Sequence, residues 1–167
     1  TLSSAASDVY KRQANDDVGC KLLYKIYSHA HTGNGKVDFA FLNSIWNDSV
    51  ELIIPFYDSF IFNNNFHLRK CVPDFAKITP TFWVEENNLP FDELLKEKVI
   101  AFSSRIDRPA KIVKSIYYKN KSDVEALQTY KIICNRNFGR PATLSSPNLD
   151  HFGSNEFCFE SYLEKQK

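Results

Sequence analysis

A Gly-Asn-Gly turn at residues 33–35 constrains the first third of this 167-residue chain more than any other feature. Glycine lacks a Cβ, so it allows the backbone conformations that a sharp change of direction needs. Before the turn, residues 24–28 alternate with the two-residue period of a short strand. After it, apolar side chains recur at spacings of three and four until Pro55, which ends the run. The pattern predicts a strand, a turn and a long helix whose core-facing stripe is Leu42, Ile45, Trp46 and Ile53.

Charge and hydropathy argue against two classes of partner. The 21 basic and 20 acidic residues nearly cancel and form no long single-sign run, so we expect no nucleic-acid partner. No apolar run approaches the roughly 20 residues of a spanning helix, so we expect no membrane span. The cysteines form no close pair, which argues against a zinc site or a disulfide framework and favours an intracellular setting, either cytoplasmic or organellar; they are Cys20, Cys71, Cys134 and Cys158.

The chain length favours one domain with a short segment at each end. Residues 1–13 are polar and resemble translated adapter sequence, so we expect them to be non-native or disordered and exclude them from the fold. We expect the domain to cover residues 14–144. The remaining residues, 145–167, form a tail in which aromatic side chains clamp a short helix.

Four β-prone segments follow the predicted helix, and each ends in a turn. A single helix with an apolar stripe needs a surface to cover it, and a strongly curved antiparallel sheet wrapped around the helix is the simplest solution. The predicted class is therefore α+β. The predicted strands lie at residues 75–85, 95–105, 111–119 and 125–135.

Residues 30–37, Ala-His-Thr-Gly-Asn-Gly-Lys-Val, carry a resemblance to a known family. The stretch resembles the Asp-Thr-Asp-x-x-Gly-His-Val motif of hotdog-fold thioesterases of the 4-hydroxybenzoyl-CoA thioesterase-like family, and Gly35 and Val37 match its fixed positions. The similarity spans residues 24–144. It implies a hotdog fold and hydrolysis of an acyl-CoA or acyl-carrier-protein thioester in lipid metabolism. It also implies a homodimer, or a tetramer of two dimers, with coenzyme A present only as part of the substrate.

The motif lacks its acidic residues in this chain. Ala30 and Thr32 stand where the family has aspartates, and Lys36 stands where it has histidine. The alternative function is therefore a catalytically inactive hotdog domain that binds acyl-CoA or serves as a structural subunit. A third alternative is an unrelated α+β binding protein, which applies if residues 24–54 are not strand, turn and helix.

Thioester hydrolysis needs an activated water, and three side chains are candidates for activating it. Asp38 lies in the first turn of the predicted helix, where capping is its commoner role. Glu51 lies on the helix away from the apolar stripe, where a solvated charge is the alternative. Thr32 has a hydroxyl that would orient water, and its alternative is a plain turn residue. Asp38, Thr32 and Glu51 are the predicted catalytic residues.

The helix N-terminus after the turn supplies the second requirement, a polarised carbonyl. Backbone N–H groups there carry partial positive charge and would donate hydrogen bonds to the thioester carbonyl oxygen. A metal is not expected, because His29 and His31 form a pair with no evident third ligand. The predicted substrate-binding residues are His31, Asn34, Gly35, Val37 and Phe39.

Overall fold

The computed structural model describes residues 10–33, 35–57, 59–66, 73–75, 77–134 and 154–166. This part of the chain combines helices with a mixed sheet that includes an antiparallel strand pair, so its class is α+β, as predicted. The elements in order are β1 (Lys11–Ala14), α1 (Asp17–Thr32), α2 (Phe39–Ile45), β2 (Val50–Ile54), α3 (Phe60–Phe66), β3 (Pro80–Val84), α4 (Asp92–Arg105), β4 (Ala110–Ile112), a 3₁₀ turn (Lys121–Asp123), α5 (Val124–Cys134) and α6 (Phe159–Glu164).

These elements belong to two compact units. The first contains the described residues up to Val84 together with Leu95–Ile112. The second contains Glu85–Leu94 and the described residues from Val113 onward.

The first unit contains a four-stranded mixed sheet in the order β1-β2-β3-β4. β1 runs antiparallel to β2, with Arg12 opposite Leu52, whereas β2 with β3 and β3 with β4 run parallel. Parallel neighbours need a crossover between them, and α3 and α4 occupy those two connections in the chain. The predicted meander of antiparallel strands is therefore not what the described residues form.

One side of the sheet carries the apolar core of the first unit. Leu52, Ile54 and Phe82 are at most 1% exposed, and they alternate along β2 and β3 with residues of the opposite face. Phe102 of α4 packs against this side, with its ring centroid 5.8 Å from that of Phe82 and 5.1 Å from that of Phe60. These aromatic rings join the sheet to the crossover helices.

Helix α1 lies close to the start of β2 because of one glycine. Asp16 caps the helix, its Oδ1 accepting a hydrogen bond from the Gly19 amide at 2.7 Å. A Cβ at Gly19 would collide with the carbonyl oxygen of Ser49, so only glycine allows this approach. The buried side of the helix is then formed by Leu22 and Ile26, four residues apart.

Of the strand, turn and helix predicted for residues 24–54, the strand is wrong and the helix after the turn is much shorter than predicted. Residues 24–28 lie inside α1. Leu22 and Ile26 are four residues apart, a helical spacing, and both side chains are buried on one side of that helix. The predicted long helix ends at Ile45, since Trp46 adopts an extended backbone with ψ of 141°. Residues 50–54 then form β2, as their β-branched and buried side chains favour.

The downstream strand predictions have mixed outcomes. Residues 75–85 contain β3, which confirms a strand there. Residues 95–105 lie in α4 and residues 125–134 in α5, so both of those strand predictions are wrong. In α4 the buried Leu95 and Val99 are four residues apart, a helical spacing that the apparent alternation concealed. Of residues 111–119, the first two belong to β4.

The ends of the chain also bear on the predicted boundaries. Residues 11–13, which were assigned to the segment outside the fold, lie in β1 and pair with β2. The tail contains the short helix α6. Two backbone hydrogen bonds connect residues 117–118 with residues 157–159 in the second unit. The Tyr117 amide donates to the Phe157 carbonyl at 2.9 Å, and the Phe159 amide donates to the Tyr118 carbonyl at 3.0 Å.

Replacing Phe82 with alanine tests the core of the first unit. Deleting a fully buried aromatic ring leaves a cavity, so we expect the free energy of unfolding to fall by about 3–5 kcal/mol. Chemical denaturation measures this loss. Tyr24→Ala is the matched control, because Tyr24 is 72% exposed, and it should change stability by less than about 0.5 kcal/mol. Equal effects of the two variants would contradict the assigned core.

Replacing Gly19 with alanine tests the approach of α1 to β2. Alanine is the better helix former, yet its methyl group meets a backbone carbonyl that cannot rotate away. We expect a loss of about 1–3 kcal/mol, the usual effect of overpacking, measured by denaturation. Ser28→Ala, at an exposed position of the same helix, should be neutral or slightly stabilising. A stabilising effect of Gly19→Ala would contradict the close approach.

Candidate functional site

Thr32, one of the predicted catalytic residues, is the last residue of α1. Its Oγ1 donates to the carbonyl oxygens of Ser28 and His29 at 3.0 and 3.3 Å. A threonine hydroxyl that bonds back to the preceding turn is a common helix arrangement. In this position Thr32 helps to end the helix.

Asp38, the second candidate, caps α2. Its Oδ1 accepts a hydrogen bond from the Phe41 amide at 2.7 Å, the bond expected of an N-cap aspartate. This carboxylate occupies the helix N-terminus where a substrate oxygen was predicted to bind. Capping, the alternative considered for Asp38, is the role that the structure describes.

The predicted substrate-binding residues are not gathered around a strand end. His31 lies on α1, where its ring contacts that of Tyr27 at a centroid distance of 4.1 Å. Gly35 has a positive φ of 77°, which suits glycine, and its amide donates to the Ala30 carbonyl. Val37 precedes the cap of α2 and is half-buried. Asn34 lies outside the described residues.

Phe39 begins α2 and belongs to an aromatic group. Its ring makes edge-to-face contacts with those of Tyr10 and Phe75, each at 5.4 Å between centroids. Nearby, the His29 ring stacks on that of Phe41 at 3.7 Å. Aromatic packing of this kind joins α1, α2 and the start of β1, which gives Phe39 a structural environment.

Glu51 is the third catalytic candidate, and its carboxylate bonds to polar side chains of two other strands. It lies on β2 and not on a helix, and it points to the side of the sheet opposite Leu52 and Ile54. Its Oε1 accepts from Thr81 Oγ1 at 2.6 Å and from Lys111 Nζ at 3.2 Å. The sheet register thus connects three neighbouring strands through one carboxylate oxygen.

These hydrogen bonds set the protonation state of Glu51. The bond from Thr81 lowers the pKa of the Glu51 carboxyl, partial burial opposes that change, and the charge and hydrogen bond of Lys111 lower it further. A lowered pKa means that the carboxylate persists to lower pH than usual and is a weaker base. At neutral pH Glu51 is therefore a charged carboxylate that accepts hydrogen bonds from Thr81 and Lys111.

Two more side chains extend the same face of the sheet. Lys11 on β1 places its Nζ 4.4 Å from the ring centroid of Trp83 on β3, which is a cation–π contact. Trp83 is half-buried and lies opposite Lys111 in the pairing of β3 with β4. The polar sheet face is defined here as Lys11, Glu51, Thr81, Trp83 and Lys111.

Sequence reasoning named Glu51 as a catalytic candidate and did not connect the other four members with it. Thr81, Trp83 and Lys111 each lie in segments that were read as strands, but no sequence pattern brings them beside Glu51. Lys11 was excluded with the polar N-terminal segment. One sequence signal was available for two of them: positions 81 and 83 are two residues apart in a predicted strand, which places both side chains on the same face of the sheet.

The second unit contains a separate group of polar side chains that sequence reasoning did not identify. Glu85 and Asn87 are 2% and 0% exposed, and Lys114 and Ser115 are half-buried. These four residues are called the buried polar cluster below. Nearby, burial is the main cause that raises the pKa of Tyr118 to about 12, and its hydroxyl donates to the Ser154 carbonyl.

The described residues bring together no group of three histidine, cysteine, aspartate or glutamate side chains that could hold a metal ion. Across the same residues, no helix combines the length and the apolar character that a membrane crossing requires. The chain matches no protein-family model and has no significant match among curated proteins. The function of the chain is therefore inferred from the geometry of its own residues.

The dominant role of Thr81 in the pKa of Glu51 gives a direct test. Thr81→Val keeps the side-chain shape and removes the hydroxyl donor, so the pKa of Glu51 should rise toward its ordinary value. Carboxyl carbon shifts in an NMR pH titration measure it. Because the folded pKa is depressed, the stability contributed by Glu51 is present above its unfolded pKa and is lost as pH falls through the folded pKa. Thr79→Val, at an exposed position just before β3, should leave the titration unchanged.

Proposed function

We propose that this chain is an α+β binding domain whose ligand combines an aromatic base with phosphate groups, acyl-CoA being the member of that class implied by the sequence resemblance. The observation that carries the proposal is the polar sheet face, where the Lys11 ammonium contacts the half-buried indole of Trp83 and a second lysine, Lys111, pairs with Trp83 on the neighbouring strand. Lysine binds phosphate as a point charge, and an indole provides a surface on which an adenine ring stacks. Binding without hydrolysis is therefore the function that we favour.

The contacts of the predicted catalytic residues support binding over hydrolysis. Thr32 and Asp38 make hydrogen bonds that end α1 and begin α2. Glu51 is an anchored carboxylate with a lowered pKa, which makes it a poor acceptor of the proton of an attacking water. Each side chain has a structural role at its own position.

Lys111 is suited to exchange partners when a phosphate arrives. Its side chain is 57% exposed, whereas that of Glu51 is 26% exposed, so their ion pair is open to solvent and contributes little stability. Lys11 is also exposed, and its contact with Trp83 is a surface cation–π pair. A diphosphate group would therefore displace weak contacts and not buried ones.

Thioester hydrolysis is retained as the second candidate function because Glu51 lies on the proposed binding face. Its carboxylate would have to act as the base for water, with Lys111 beside the developing negative charge. This version of the proposal needs neither Thr32 nor Asp38. It differs from the first in one measurable result, the release of free thiol.

The hotdog fold and the homodimer that the sequence resemblance implies are also kept as proposals. A hotdog needs an antiparallel sheet around a long helix, and the proposed function does not rest on that topology, since two of the three strand pairs are parallel. β1 and β4 are the outer strands of the sheet and would be the edges available to an edge-to-edge dimer. Light scattering of the purified chain measures whether a dimer or tetramer forms.

Calorimetric titration with coenzyme A, acetyl-CoA and a long-chain acyl-CoA tests the proposal. We expect binding that weakens with added salt, a raised Tm and no release of free thiol. The double variant Lys11→Ala and Lys111→Ala should weaken binding by about tenfold, which corresponds to about 1.4 kcal/mol for the two contacts. Lys98→Ala removes an exposed lysine of α4 and is the matched control.

Three other outcomes of these measurements would change the proposal. If none of the three compounds binds or raises the Tm, the binding proposal is wrong. If thiol is released and Glu51→Gln abolishes the release, the chain is a hydrolase and Glu51 is its base. Thiol release that persists in Glu51→Gln would exclude Glu51 from the chemistry.

A further inference from the structure

The buried polar cluster of the second unit places an amine against a side-chain amide. Lys114 Nζ donates to Asn87 Oδ1 at 2.7 Å. On the other side of the same amide, Asn87 Nδ2 donates to Glu85 Oε2 at 3.0 Å. A nucleophile, an electrophilic carbonyl and a proton acceptor therefore meet at one asparagine side chain.

The three groups are held in place by further hydrogen bonds. Glu85 accepts from the Ser115 amide at 3.1 Å and from Ser115 Oγ at 2.8 Å. The Asn87 backbone amide donates to Asp92 Oδ2 at 2.8 Å. Because Ser115 follows Lys114 directly, the bonds that fix Glu85 also fix the backbone from which the lysine extends. Such positioning raises the effective concentration of reacting groups.

We propose that Lys114 and Asn87 form an intramolecular isopeptide bond, with Glu85 carrying the proton between them. The neutral Nζ attacks Asn87 Cγ, and a new N–C bond forms as the carbonyl electron pair moves onto Oδ1. Glu85 takes a proton from Nζ and delivers it to Nδ2. The electron pair on Oδ1 then re-forms the carbonyl as the Cγ–Nδ2 bond breaks and ammonia leaves. One amine and one primary amide thus give one secondary amide and ammonia, with no oxidant, reductant or metal required.

The surroundings favour the neutral amine that this reaction needs. Burial is the largest cause that lowers the pKa of Lys114, and the positive charge of Lys165 lowers it further. Glu156, Cys158 and Glu85 face the same ammonium and raise its pKa, without reversing the net decrease. The rate of bond formation should therefore rise with pH through the pKa of Lys114.

The bond would close a covalent ring that contains α4 and β4. A link between positions 87 and 114 restricts the unfolded chain in the way that a disulfide does, with no dependence on redox conditions. The bond would then permanently cross-link the two chain segments of the second unit, Glu85–Leu94 and the residues from Val113 onward. This inference is independent of the ligand proposed for the polar sheet face.

Intact mass spectrometry of the full chain in denaturant tests the bond. We expect a mass lower than the sequence mass by one ammonia after incubation at about pH 9, where the lysine amine is more often neutral. Tryptic mapping should show no cleavage after Lys114 and a branched peptide that joins Lys114 to Asn87. The full sequence mass after that incubation would overturn the proposal.

Two kinds of variant separate the isopeptide from other losses of ammonia. Lys114→Arg and Glu85→Gln should both restore the full mass, because one removes the nucleophile and the other the proton carrier. Lys119→Arg, which replaces an exposed lysine nearby, should keep the mass deficit. A deficit that maps to a cyclic imide at Asn87, with Lys114 unmodified, would overturn the proposal even if the variants do not fold.

Discussion

Burial of the apolar side of β2 and β3 is the interaction on which the first unit depends. Leu52 and Phe82 lie on adjacent strands and are fully buried, and α4 contributes Phe102 to the same interior. Hydrophobic burial is strong and has no direction, so it requires only that apolar side chains share one face. The alternation of a strand then forces the intervening residues onto the other face. Glu51 and Thr81 meet there for that reason.

Polar groups in the two units are stabilised in different ways. Glu51 on the polar sheet face has an exposed partner in Lys111 and a shorter hydrogen bond from the buried Thr81. Glu85 in the second unit is buried and accepts hydrogen bonds from Asn87 and Ser115. An unpaired carboxylate there would be costly, and this cost explains why its neighbours are held in such defined positions.

Helix and strand assignments failed where a short sequence fits two periods. Residues 24–28 alternate as a strand would, but Leu22 and Ile26 are also four apart, and burial of that pair selected the helix. Residues 95–105 failed in the same way, with Leu95 and Val99 as the buried pair. By contrast, Pro80–Val84 is β-prone and nearly all buried, and its strand was predicted. Among the site residues, Glu51 was identified for its acid group and assigned to the wrong element.

The sequence by itself determined the α+β class, the strand at residues 80–84 and the near-neutral charge, because these follow from composition and local preference. It also indicated that Asp38 could cap a helix, since an N-cap is a contact over three residues. Only the tertiary structure decided the parallel pairing of β2 with β3 and of β3 with β4, and the meeting of Glu51 with Lys111 and of Asn87 with Lys114. Those contacts join residues far apart in the chain, and the burial of other side chains brings them together.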